Sequence, residues 1–181
     1  MLARLLIGMT TLLFSHFCYA EAYGALVSAD DKQPTNSPAH NNLVIDAKTL
    51  LDAHLPYRKE LGLLPYVWSD ELAKSAQTWA DHLAANNEFK HSDAEYGENL
   101  WRGTTGAYSL KDMVDAWGAE KKDFVYGLFP QVTKGGMVGH YTQIVWRYSY
   151  QVGCALAQGN GKTYLACHYD PAGNYEGEAP Y

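Results

Sequence analysis

The chain has 181 residues, of which 47% are hydrophobic and 19% are charged. A chain of this length accommodates one domain with a core of ordinary size, and its composition excludes a protein that is disordered throughout. The formal net charge is -6 at pH 7, and this acidic balance argues against nucleic acid as a partner.

The N-terminal residues have the pattern of a secretory signal peptide. Arg4 precedes an apolar run over residues 5–17, and residues 18–20 form a small-residue cleavage site ending at Ala20. The run is shorter than the roughly 20 residues that a membrane-spanning helix needs. We therefore predict a signal peptide at 1–20 and no stable membrane span, with an uncleaved anchor as the alternative. The protein is expected to be secreted, or periplasmic if its source is bacterial.

Residues 21–43 are polar and contain Ser28, Asp30, Pro34 and Pro38 without any apolar period. Such a composition cannot bury enough apolar surface to fold by itself, so this segment is predicted to be a flexible leader. The folded domain is expected over residues 44–181.

Three amphipathic helices are predicted in the first part of this domain. Asp46, Ser69 and Ser109 each precede a helical apolar period, and each has a side-chain oxygen that can cap a first turn. The third helix carries Trp117 and Glu120 at positions i and i+3, which predicts a carboxylate beside a buried indole.

The last part of the chain has the pattern of an antiparallel meander. Apolar and β-branched runs over residues 143–148, 151–157 and 163–169 are predicted strands, with a turn at residues 159–161. Helices followed by a hairpin indicate the α+β class.

Two cysteines, Cys154 and Cys167, remain after the signal peptide is removed, and they lie on neighbouring predicted strands. An even pair in an exported chain predicts one disulfide. The alternative is a pair of buried free thiols.

The segment between Lys121 and Gly139 has no period but is rich in aromatic residues and glycines. Phe124, Tyr126 and Phe129 are predicted to form a loop that binds an apolar ligand. The alternative is that these rings only close the core.

Three stretches of the sequence resemble motifs of one protein superfamily. They are Gly-His-Tyr-Thr-Gln from Gly139, Cys-His-Tyr-Asp-Pro from Cys167, and Gly-Glu-Asn-Leu from Gly97. Together they resemble the motifs of the CAP superfamily, which comprises cysteine-rich secretory, antigen 5 and pathogenesis-related class 1 proteins. The resemblance covers about residues 45 to 181 and implies a three-layer α-β-α sandwich.

The same resemblance implies a cavity tetrad formed by His91, Glu98, Glu120 and His140. The two imidazoles would bind one divalent cation, Zn2+ or another, and the two carboxylates would orient them or hold a water. The alternative is a structural His-Glu network that joins loops to the sheet.

Three functions are compatible with these features. The first is a secreted binding module for a sterol, fatty acid or similar apolar molecule, with a divalent metal in the tetrad. The second is a metal-assisted hydrolase of protein or cell-wall polymers that uses Glu98, Glu120 and His140. The third is an extracellular effector that contacts another protein and has a purely structural cavity. The sequence leaves enzymatic activity open and favours binding.

Overall fold

The computed structural model describes residues 45–181, so the predicted signal peptide and leader lie outside the described residues. The elements in chain order are α1 (Ala47–Glu60), β1 (Val67–Trp68), α2 (Asp70–Asn86), β2 (Gly97–Thr104), α3 (Leu110–Gly118), a 3₁₀-helix (Ala119–Asp123), α4 (Gly139–Ile144), β3 (Gln151–Gly159) and β4 (Lys162–Asp170). Within this part of the chain, no helix has the length and apolar character needed to cross a membrane.

A four-stranded sheet with the order β1-β3-β4-β2 forms the middle layer of the fold. Strands β3 and β4 pair antiparallel, β2 pairs antiparallel with β4, and β1 runs parallel to β3. Because side chains alternate along a strand, each face of the sheet buries its own set of residues. One face packs on α2 and the other on α1, α3 and α4. The predicted α+β sandwich is confirmed.

Small residues let α2 approach the sheet closely. Ala76 and Ala80 are completely buried in this interface, and Gly153 of β3 lies directly beneath the first turn of the helix. A Cβ atom at Gly153 would lie 2.2 Å from the Ala73 nitrogen and 2.4 Å from the Ser69 oxygen. The small residues of α2 therefore form its contact with the sheet.

The three predicted helix starts are all capped as expected. The Asp46 carboxylate accepts hydrogen bonds from the Lys48 and Thr49 nitrogens at 3.1 and 3.2 Å. The Ser69 hydroxyl accepts one from the Leu72 nitrogen at 3.2 Å. Ser109 begins α3 with a complete capping box.

The predicted strand over residues 143–148 is wrong. Its first two residues belong to α4, and the rest form an irregular segment. The cause is Arg58, which is 1% exposed and donates hydrogen bonds to the carbonyls of Ile144, Trp146 and Ser149 at 2.9, 3.0 and 3.1 Å. These carbonyls converge on one guanidinium instead of pairing with a neighbouring strand. The predicted meander is a β3-β4 hairpin, with β2 as the third antiparallel strand.

The hairpin itself agrees with the sequence pattern. Asn160 and Gly161 both have positive φ angles, 53° and 72°, as a tight two-residue turn requires. Cys154 lies opposite Cys167 in the register, and the two are joined by a disulfide. The predicted disulfide is confirmed.

Candidate functional site

The first half of the site is built on the edge strand β2. Its second residue, Glu98, accepts a hydrogen bond from the Ser92 nitrogen at 3.1 Å, and the same carboxylate oxygen lies 2.6 Å from Nδ1 of His91. The side chain of Glu98 is 6% exposed, whereas that of His91 is 64% exposed. A buried carboxylate thus holds an imidazole that reaches solvent.

A third histidine completes the environment of Glu98. His168 lies directly opposite Glu98 in the β2-β4 register, and its Nε2 is 3.0 Å from the second carboxylate oxygen. Its Nδ1 is 3.1 Å from the Ser75 hydroxyl on α2. Sequence reasoning placed His168 in a motif but not in the site. Only the strand register could have revealed the contact.

These contacts determine the charge of Glu98. Burial alone would raise the pKa of Glu98, but hydrogen bonds from His168, His91 and Ser92 outweigh it and lower this pKa to about 2. The hydrogen bond to Glu98 in turn raises the pKa of His91. Glu98 is therefore ionised at neutral pH and accepts hydrogen bonds through both oxygens.

The second half of the site joins the 3₁₀-helix to α4. Glu120 lies 2.6 Å from Nδ1 of His140, and its other oxygen accepts hydrogen bonds from the nitrogens of His140 and Tyr141 at 3.0 and 3.2 Å. The Trp117 ring stacks on the His140 ring with their centroids 6.0 Å apart. Helix α3 was predicted to carry Glu120, but it ends at Gly118 and Glu120 lies in the 3₁₀-helix. His140 contacts both the Glu120 carboxylate and the Trp117 ring.

Asn99 connects the two halves. It follows Glu98 in β2, and its side-chain nitrogen donates to the main-chain oxygen of His140 at 3.1 Å and to the Tyr169 hydroxyl at 3.3 Å. The structure therefore arranges the four sequence-predicted residues as two carboxylate-imidazole pairs around the start of β2.

Both pairs use the imidazole in the same way. Nδ1 of His91 and Nδ1 of His140 each lie on a carboxylate, and no hydrogen bond within residues 45–181 engages Nε2 of either ring. In a neutral imidazole, an Nδ1-H that donates to a carboxylate leaves the lone pair on Nε2. In its neutral form, each ring thus presents a nitrogen lone pair that no described residue uses.

This donor set suits a metal ion that has few protein ligands. Across the described part of the chain, no three His, Cys, Asp or Glu side chains converge on a preformed metal-binding position. A cation held by His91 and His140 would therefore need water or a ligand to complete its coordination. Glu98 and Glu120 already accept hydrogen bonds and would orient the imidazoles.

The aromatic loop before α4 is held by the C-terminal segment. The Phe124 ring packs against the rings of Tyr141 and Tyr181, at 5.3 and 5.8 Å between centroids. The main chain of Phe129 exchanges two hydrogen bonds of 2.8 Å with Gly177 and Glu178. Phe124 therefore belongs to the packed structure of the loop.

Other side chains of the same loop face solvent. Tyr126, Leu128 and Met137 are 61%, 55% and 68% exposed. Leu128 was missed by the sequence prediction, because an isolated leucine between glycine and phenylalanine shows no pattern that distinguishes an exposed side chain from a buried one.

The fold and the site together define a class of protein. It is an α-β-α sandwich that carries two carboxylate-imidazole pairs at one edge of its sheet, with an apolar loop before the second histidine.

Comparisons with known proteins identify this class. The sequence profile of the Cysteine-rich secretory protein family, CAP, matches residues 51–169. Pathogenesis-related protein 1A of Nicotiana tabacum is 42% identical over 132 residues, which cover 72% of this chain and 78% of that protein. Pathogenesis-related protein 1 of Arabidopsis thaliana is 40% identical over 132 residues, 72% of this chain and 80% of that protein. The chain belongs to the CAP superfamily.

Solved structures agree with the fold. The crystal structure of NaASP2 with Zn2+ superimposes with a TM-score of 0.66 at 22% sequence identity, covering 81% of this chain and 90% of that one. The structure of BmVAL-1 superimposes with a TM-score of 0.60 at 22% identity, covering 80% of this chain and 86% of that one.

Proposed function

We propose that the protein is a secreted CAP module that binds one divalent cation through Nε2 of His91 and His140 and binds an apolar molecule on its aromatic loop. The observation that carries the metal site is the shared arrangement of the two imidazoles, each held through Nδ1 by a carboxylate. Carboxylate-histidine-metal arrangements of this kind fix the ring and raise its basicity.

The donor chemistry favours zinc among the common divalent ions. Imidazole nitrogen suits zinc, whereas magnesium and calcium prefer oxygen ligands. NaASP2, which has the same fold, was crystallised with Zn2+, and this supports testing zinc first. A bound zinc ion would supply a Lewis acid with positions open to water or to a ligand oxygen. With two protein ligands the affinity should be moderate.

The hydrogen bonds of the carboxylates favour binding over hydrolysis. A general base needs a carboxylate oxygen that can reach a substrate water. Glu98 accepts hydrogen bonds from two imidazoles and one main-chain nitrogen, and Glu120 from one imidazole and two main-chain nitrogens. These contacts support an orienting role for both residues.

Calorimetric titration with zinc at about pH 7.5, where an ordinary imidazole is neutral, tests the site. We expect one ion per chain, loss of most of the affinity in the His91→Ala/His140→Ala variant, and a smaller loss in Glu98→Gln or Glu120→Gln. His82→Ala is the matched control, since His82 is a partly exposed histidine paired with Glu88 elsewhere on the surface. If the wild type does not bind zinc, or if the double variant binds it with equal affinity, the His-Glu tetrad has only a structural role.

The apolar site of the proposal rests on the exposed side chains of the loop. Tyr126, Leu128 and Met137 present apolar surface to solvent. The C-terminal segment fixes the loop through main-chain hydrogen bonds to Phe129. An apolar ligand such as a sterol or fatty acid would bury these side chains and gain free energy in proportion to the area covered. An extracellular protein surface is the competing partner.

A double variant, Leu128→Ser/Met137→Ser, tests this surface and keeps Tyr126, whose hydroxyl donates a hydrogen bond of 2.8 Å to the C-terminal segment. We expect binding of a fluorescent sterol and a fluorescent fatty acid to be lost at an unchanged melting temperature. The control is Tyr148→Ser/Tyr150→Ser, which removes two exposed aromatic side chains outside the loop. If the Leu128→Ser/Met137→Ser variant binds both probes as the wild type does, the loop is not a lipid site.

A further inference from the structure

We infer that His168 is a positioning residue that fixes the direction of the His91 imidazole by holding Glu98. This inference rests on the proposed role of His91 as a metal ligand. Neither the sequence motifs nor the comparisons assign such a role to His168.

The sheet places the two side chains together. Glu98 and His168 are direct cross-strand partners on β2 and β4, so their side chains share the face that packs on α2. His168 occupies one oxygen of the carboxylate at 3.0 Å, and the other oxygen is left for His91 at 2.6 Å. The two histidines therefore contact different oxygens of the same carboxylate.

The ring of His168 is itself fixed on several sides. It is 1% exposed, its Nδ1 is 3.1 Å from the Ser75 hydroxyl, and the Tyr96 ring lies 5.7 Å away between centroids. When Nε2-H donates to Glu98, the neutral ring accepts the Ser75 hydroxyl proton at Nδ1. The Glu98 carboxylate, which can only accept, thus selects the Nε2-H tautomer of His168, while Ser75 on α2 holds the ring that orients Glu98.

The second pair of the site has no such dependence on a side chain. The Glu120 oxygen that does not contact the His140 ring accepts hydrogen bonds from the main-chain nitrogens of His140 and Tyr141. Removing the Nε2 donor of His168 would instead leave a buried Glu98 oxygen without its partner, and the main-chain donor from Ser92 would then hold the carboxylate through its other oxygen alone. The His91 ring would lose its fixed direction, because its hydrogen bond is to this less constrained carboxylate.

Two substitutions at His168 separate its two hydrogen bonds. In His168→Gln the side-chain amide can replace Nε2 and still donate to Glu98, whereas in His168→Asn the shorter amide can replace only Nδ1 and still contact Ser75. We would measure the ring tautomer of His91 by ¹⁵N NMR in the metal-free protein, and zinc affinity by calorimetry. Melting temperatures would be recorded for all variants.

We expect the wild type and His168→Gln to have the Nδ1-H tautomer of His91 and zinc affinities within about threefold of each other. His168→Asn should show mixed tautomers and about tenfold weaker zinc binding, the size of effect usual for residues that orient a metal ligand. Wild-type tautomer and affinity in His168→Asn would overturn the inference.

Failure of the metal site can be told apart from failure of this inference. If the wild type binds no zinc, the proposed function is wrong, but the NMR comparison still applies: a tautomer change in His168→Asn alone supports the positioning role, and no change refutes it. If His168→Asn does not fold, Ser75→Ala replaces it, because it frees the His168 ring without removing a partner of Glu98. Ser75→Ala should also give mixed tautomers, and an unchanged tautomer would refute the inference.

Discussion

His54 is a buried histidine that remains neutral inside the core. It is 1% exposed, and its ring nitrogens lie 2.8 Å from the Leu50 carbonyl and 2.9 Å from the Tyr169 hydroxyl. Burial lowers the pKa of His54 to about 4 despite the hydrogen bond to Leu50. This residue therefore links the stability of the fold to pH.

The direction of that link follows from proton binding. Below about pH 6.5 the unfolded chain protonates His54, whereas the folded chain does so only near the lowered pKa. The contribution of neutral His54 is complete above about pH 6.5 and decreases as the pH falls toward about 4. We predict that the free energy of unfolding falls by about 2 kcal/mol more in the wild type than in His54→Gln between about pH 7 and pH 5.

Urea unfolding of both proteins at the two pH values measures this difference. His82→Gln is the control, since His82 lies partly exposed on α2 and the variant should follow the wild type. The same pH dependence in His54→Gln and in the wild type would show that His54 does not carry the effect.

At the scale of elements, the β3-β4 hairpin is joined both by strand pairing and by a disulfide. Its two strands pair from Gln151 opposite Asp170 to Gly159 opposite Lys162, and the disulfide lies within the buried layer beneath α1 and α3. A bridge across a short loop stabilises a fold chiefly by restricting the unfolded chain.

We predict that reducing the Cys154-Cys167 disulfide lowers the free energy of unfolding by about 2–4 kcal/mol. Comparing the oxidised and reduced wild type isolates the cross-link, because both proteins have the same core side chains. Cys154→Ala/Cys167→Ala should lose at least as much, since it also removes buried sulfur atoms. Peptide mapping that finds two alkylatable thiols in the untreated folded protein would contradict the bridge.

At the scale of the whole molecule, the close approach of α2 to the sheet sets the thickness of one layer. The Cβ of an alanine at Gly153 would meet main-chain atoms of Ser69 and Ala73 at 2.4 and 2.2 Å. Main-chain atoms cannot rotate away, so α2 would have to move as a unit. We predict that Gly153→Ala lowers the free energy of unfolding by about 2–3 kcal/mol.

Gly127→Ala is the matched control for that substitution. The nearest atom to a Cβ at this loop position is the Gln131 oxygen at 3.5 Å, an ordinary contact. Chemical denaturation should show a change within about 0.5 kcal/mol for this variant. Equal stability of the two variants would mean that the α2 layer is not packed as tightly as the structure shows.

Local interactions made several features predictable from the sequence. Asp46, Ser69 and Ser109 begin their helices because each caps nitrogens two or three residues away, and Cys154 faces Cys167 because a two-residue turn aligns their strands. The helical apolar periods predicted α1 and α2 as amphipathic helices. The resemblance to the CAP motifs supplied the four tetrad residues, which composition and spacing alone did not indicate.

Only the tertiary structure decided the features that depend on distant partners. Residues 143–146 are buried, but they do not form a strand because the guanidinium of Arg58, far away in the sequence, binds the carbonyls of Ile144 and Trp146. His168 joins the site because the β2-β4 register places it opposite Glu98. Packing against Tyr141 and Tyr181 buries part of Phe124, whereas Tyr126 packs on Tyr181 and remains 61% exposed. In each case a long-range contact selects one arrangement among several that the local sequence permits.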